Sequence, residues 1–194
     1  MRTAIIAPKL VVRTVLAGMA VAGLVAGCTS TGDGTPKPEG SSGQPTSGET
    51  TVQYNPCKEL SDEALRATKV DPATKGVTTD APTGPVSARV CQWNSTEGPY
   101  LVSVSSTIYS QDDARKNDKL TGLRDVKIGP RPGLIYYDKS DEDKLRCYAN
   151  LPWSKGTFEV TVGWRYGSRA SMPQSPPCDL AIRHAQELEP YLPK

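Results

Sequence analysis

The chain has 194 residues, 37% hydrophobic and 6% aromatic, with 23 basic against 21 acidic side chains for a net charge of +2. That near-balance leaves no electrostatic case for nucleic acid or for a polybasic membrane patch. With one histidine and no CxxC among five cysteines, neither a zinc centre nor any other metal or cofactor is expected.

The N-terminus reads as an export signal over residues 1–27. Arg2, Lys9 and Arg13 supply a positive start, and Thr14 to Ala26 is an apolar run of Val, Leu, Ala and Gly. That run is shorter than the roughly 20 residues a membrane-spanning helix needs. Val25-Ala26-Gly27-Cys28 resembles the bacterial lipobox. The resemblance implies a diacylglyceryl group on the Cys28 thiol, cleavage after Gly27 and acylation of the new amino terminus. Two or three acyl chains anchor a protein stably where one does not. The expected location is the extracytoplasmic face of the cell membrane. Cleavage would lower the basic count from 23 by three, to 20 against 21 acidic residues, so the anchored form carries about one negative charge.

Residues 28–53 follow as a lipid-anchored linker. Their Gly, Ser, Thr and Pro content includes almost no large apolar residue, too little to offset the entropy of ordering. Residues 54–194 are long enough for one domain. Cys57 to about Thr68 has helical spacing with a possible break at Ser61, and Val70 to Pro85 is a long connection. Val86–Trp93 and Tyr100–Tyr109 alternate as strands about a turn at Ser95–Pro99. Ser110-Gln111-Asp112-Asp113 resembles a capping box and opens a helix to about Leu120 that stops at Gly122. Strands are expected at Leu134–Tyr137, Leu145–Leu151 and Thr157–Arg165. The last has the clearest alternation, Phe158, Val160, Val162 and Trp164 against Glu159, Thr161, Gly163 and Arg165. A final helix starts at Cys178 with Ala181, Ala185, Leu188 and Leu192 as its buried stripe. The fold class is α+β: an antiparallel sheet of about five strands, helices packed on one face, and two disulfides.

Cys57, Cys91, Cys147 and Cys178 form an even set in an exported domain, which argues for two disulfides rather than free thiols. Three pairings are open. Cys57–Cys91 with Cys147–Cys178 is favoured, each closing about 30 residues. The alternative, Cys57–Cys178 with Cys91–Cys147, would join helix to helix and strand to strand.

Asn55-Pro56-Cys57 opening a helix, Cys91-Gln92-Trp93 in a strand, a mid-domain cysteine, and Cys178-Asp179-Leu180-Ala181 leading a helix that ends Tyr191-Leu192-Pro193 complete the pattern. Together with the lipobox and linker, they resemble the actinobacterial lipoproteins grouped as domain of unknown function 3558. The resemblance implies an actinobacterial cell envelope and a disulfide-stapled α+β domain, and it brings no activity with it.

No catalytic residue is assigned. His184 has no GxSxG nucleophile elbow to serve and reads as a solvent-facing or partly packed helix residue. Asp138 to Asp143 lacks calcium-loop spacing and reads as a solvated hairpin turn. Ligand-binding residues remain unknown from sequence. Arg131 to Tyr137, Trp153 and Tyr166 are the segments to watch, because Arg and aromatic residues dominate binding hot spots. The expected function is a non-catalytic envelope module, not an enzyme, binding a protein partner or small molecule outside the membrane. The alternatives are a carrier of lipid or another apolar molecule, which would need a dry cavity, and an extracytoplasmic hydrolase.

Overall fold

The computed structural model describes residues 51–83 and 85–194. The export signal, Cys28 and most of the linker lie outside those residues. Packing begins inside the stretch expected as linker: Val52 is buried, and its N–H donates to the Val86 carbonyl at 2.7 Å.

Local sequence rules explain the short helices. At α1 (Pro56–Glu59), Asn55 accepts from the Cys57 N–H, Pro56 occupies the first turn, and Glu59 accepts from the Asn55 N–H at 2.6 Å. The chain then breaks at Leu60, and Ser61 caps α2 (Asp62–Ala67) through the Ala64 N–H. At α3 (Gln111–Lys116), the Ser110 and Asp113 side chains each satisfy the other's backbone N–H. α4 (Cys178–Leu188) buries Cys178, Ala181, His184, Ala185 and Leu188, a stripe at helical spacing.

The strands are β1 (Gly76–Thr79), β2 (Ala88–Asn94), β3 (Tyr100–Thr107), β4 (Leu120–Ile128), β5 (Arg131–Asp138), β6 (Arg146–Trp153) and β7 (Gly156–Trp164). They form one antiparallel sheet in the order β1-β2-β3-β7-β6-β5-β4. The α+β class and antiparallel pairing match expectation, and the strand number becomes seven rather than about five. β1 lay hidden in the long connection because its residues are mostly exposed and carry no alternating apolar pattern. β4 was hidden by Gly122. That residue does not end a helix; α3 stops at Lys116, and Gly122 sits at φ +65° where β4 shifts register. A Cβ there would lie 2.2 Å from the Tyr137 ring, so glycine admits the ring.

Pairing register sorts the side chains. Val104, Val160, Ala149 and Ile135 form one row across β3, β7, β6 and β5, with Val102, Val162 and Cys147 in the row beside it. These face α1, α2 and α4 and make the core, where Tyr54 meets Phe158 edge-on and Trp153 lies 5.0 Å from the Phe158 ring. The opposite rows read Ser105, Glu159, Asn150, Leu134 and Ser103, Thr161, Tyr148, Tyr136. The expectation that all helices share one face is corrected by α3, which lies over this second face. Gln111 ties it there by donating to the Pro132 and Asn150 carbonyls at 3.3 and 3.2 Å. A helix with no buried residue can shelter a polar surface without sealing it.

Both disulfides join a helix to a strand: Cys57–Cys91 fixes α1 to β2, and Cys147–Cys178 fixes the start of α4 to β6. They span 34 and 31 residues, and loop closure of that size contributes about 3–4 kcal/mol each. β6 and β7 turn at Gly156, whose φ is +136°. Among the described residues, no helix is long and apolar enough to cross a membrane.

Candidate functional site

A cleft of about 500 Å³ opens between α3 and the second face of the sheet. β7 supplies Thr157 and Glu159, β6 supplies Tyr148 and Asn150, and β5 supplies Tyr136 and Asp138. Thr107 and Tyr109 close one end, and Asp113, Ala114 and Asn117 hang over it from α3 and its exit. Period-two alternation gathers the floor: Thr157, Glu159, Tyr148, Asn150 and Tyr136 are each the neighbour of a core residue on the same strand.

Its floor is a directed hydrogen-bond chain. Asn150 Nδ2 donates to Thr157 Oγ1 at 3.0 Å and to the Tyr136 hydroxyl at 3.5 Å, and Tyr136 donates to Glu159 Oε2. The Tyr136 and Tyr148 rings stack beside it, 5.5 Å apart and 19° from parallel. Two acceptors are left over. Asn150 is 3% exposed, and its Oδ1 has no partner. Glu159 Oε1 receives no hydrogen bond from any described residue, and no described cation pairs with this carboxylate. Burial pushes the Glu159 carboxyl above the ordinary glutamate range, against a smaller lowering by the Tyr136 hydroxyl. Burial together with the Glu159 charge likewise pushes the Tyr136 phenol up.

The rim carboxylates differ. Asp113 accepts from the Ser110 N–H at 2.8 Å and from its hydroxyl, and Asp138 accepts from the Ser140 N–H and hydroxyl, both at 2.7 Å. Those bonds hold both carboxyls below the ordinary aspartate range, so both stay charged. The Asp138–Asp143 stretch is thus a turn fixed by its own first residue. Among the described residues, no three His, Cys, Asp or Glu side chains gather as metal ligands do.

Several residues singled out by sequence lie elsewhere. His184 is neither solvent-facing nor partly packed: it is fully buried, bridging Thr68 Oγ1 at 2.7 Å and the Tyr100 hydroxyl at 3.1 Å. Burial and the neighbouring Arg183 charge push its pKa down to about 4, so it is a neutral link between α2, β3 and α4. The reason lies in helix geometry, since His184 falls within the apolar arc of α4 between Ala181 and Leu188. Arg131 is also internal. Its Nε donates to Glu189 at 2.8 Å and its Nη2 to the Leu192 carbonyl at 2.9 Å, clasping the C-terminal turn. Trp153 packs on Phe158, and Tyr166 is 60% exposed with Arg169 over its ring. Of the segment from Arg131 to Tyr137, Tyr136 lines the cleft.

Glu159, Tyr148 and Asn150 escaped sequence reasoning. A carboxylate at mid-strand reads as the solvent side of an alternating strand. Only the central position of β7 among seven strands shows that this side is covered too.

The matching family model, described as protein of unknown function (DUF3558), covers residues 23–191. The chain belongs to this family. No curated protein and no solved structure matches it. Membership extends over the whole described fold, and the family's description supplies no chemistry for the cleft.

Proposed function

We propose that this chain is an envelope lipoprotein of actinobacterial type, held by diacylglyceryl-Cys28 on the extracytoplasmic face of the membrane. In this reading its domain is a non-catalytic module that binds a small polar ligand in the cleft beneath α3. The address is supported by the lipobox resemblance and by two disulfides, which belong to oxidising compartments. The observation that carries the binding role is the cleft floor, where buried Asn150 Oδ1 has no hydrogen-bond partner and half-buried Glu159 has a phenol but no described cation beside it. Buried polar atoms are normally paired and carboxylates are normally matched by a cation, so an unpaired amide oxygen beside an unmatched carboxyl at one cavity points to a ligand. Hydroxyls, two amides and carboxyls among the walls speak against the dry pocket an apolar carrier needs.

A hydrolase ranks second, on the raised Glu159 carboxyl, which has the character of a general acid. Its rim carboxylates, Asp113 and Asp138, are spent on backbone caps, leaving no free partner for two-carboxylate chemistry.

Native mass spectrometry of the chain extracted from actinobacterial membranes in detergent tests both parts. A native mass above the denatured mass by a defined small-molecule increment is expected, and Ala114→Trp, which plugs the cleft, should abolish it. A bare native mass would sink the ligand-binding reading. A denatured mass without diacylglyceryl would sink the anchor.

A further inference from the structure

The charge of the ligand is written in what lines the cleft. Asp113, Asp138 and Glu159 are all carboxylic acids, and Tyr109, Tyr136 and Tyr148 add phenol rings; there is no Lys, Arg or His in the lining. Tyr136, Tyr148 and Asn150 face Glu159 from β5 and β6, with Asp138 at the end of β5 and Asp113 across the cleft on α3. The guanidinium of exposed Arg146 acts on the Tyr148 phenol and on Asp138 rather than pairing with Glu159. The cavity therefore holds fixed negative charge at its rim, an uncompensated carboxyl on its floor and an unpaired amide oxygen beside it. Acceptors without donors select a ligand rich in N–H, and carboxyls without cations select a positive one. Aromatic faces add attraction for the same charge. A bare metal ion fits less well, since 500 Å³ far exceeds its need and no ligating cluster of three exists among the described residues.

We propose that the cleft beneath α3 binds a small organic ammonium, with Glu159 as its counter-ion, Asn150 Oδ1 as a second acceptor and the Tyr136–Tyr148 pair flanking the charge. The assignment rests on the ligand-binding reading above. Because the ligand favours ionised Glu159, binding releases a proton, and affinity rises with pH across the range where that carboxyl titrates.

Three probes of one shape separate the possibilities: benzylamine, benzyl alcohol and benzoate, titrated calorimetrically into the full chain in detergent micelles. Benzylammonium should bind about tenfold tighter than the alcohol, with benzoate weakest. Glu159→Gln should erase the preference, bringing benzylammonium down to the affinity the same variant shows for benzyl alcohol. If the alcohol or benzoate binds as tightly as the amine, or if the preference survives Glu159→Gln, the ammonium assignment is overturned while the cleft remains a binding site. If no probe binds, the assignment also fails. The binding reading fails with it only if the native mass is bare as well.

Discussion

Two glutamates on opposite faces of one sheet are handled in opposite ways. On the helix-covered face, Glu189 is 4% exposed and meets Arg131, itself hydrogen-bonded to two backbone carbonyls, and Lys194. On the other face, Glu159 meets a phenol and no cation. The first arrangement sets two cations on one carboxylate oxygen and holds the chain end down. The second leaves a half-buried carboxyl with no described cation beside it, the arrangement on which the proposed ligand site rests.

The contrast between faces can be broken most severely at Phe158. Truncation to Ala removes the ring between Tyr54 and Trp153 and should cost about 4 kcal/mol in chemical denaturation, whereas Thr161→Ala on the opposite face should stay within about 0.5 kcal/mol. Equal effects would mean the two faces are not distinct. Arg131→Met leaves Glu189 with Lys194 alone and should cost about 3 kcal/mol by the same measurement.

Acid sharpens the comparison. His184 has a folded pKa of about 4 against an ordinary 6.5, so the unfolded chain binds the extra proton between those values. Its contribution is fully present above pH 6.5 and is lost as pH falls toward 4, by up to about 3 kcal/mol. His184→Gln should flatten that slope in denaturation midpoints measured from pH 7 to 4. Glu159 has the opposite sign: its folded pKa is raised, so its contribution shrinks as pH rises through that value. The smallest effect follows, a gain on the order of 1 kcal/mol at pH 7 for Glu159→Gln. A loss there would show that the ionised carboxyl stabilises the free protein.

Much of the covered face was legible in the residues. Alternation in Phe158 to Trp164 and the Ala181-Ala185-Leu188 stripe depend on near neighbours along the chain, as does the Ser110 box over the other face; these match the fold, and so does the favoured pairing of cysteines 34 and 31 residues apart. The cleft was not legible, because it exists only once β7 lies between β3 and β6 and α3 crosses the polar side. Alternation says that Glu159 points away from Phe158 but not that anything covers it. His184 failed for a related reason. Its burial depends on Thr68 and Tyr100, which are 116 and 84 residues away along the chain.

Gly156 carries a consequence for sorting relatives. A Cβ there would stand 1.9 Å from the Thr107 carbonyl oxygen, and Thr107 and Thr157 together bound one end of the cleft. Backbone, unlike a flexible side chain, cannot step aside for a methyl group. Any family member with another residue at this place must have moved the β6–β7 turn away from β3, and with it the cavity wall. That single position therefore serves as a marker: sequences that keep the glycine can keep this cavity wall, and those that lose it must shape it differently.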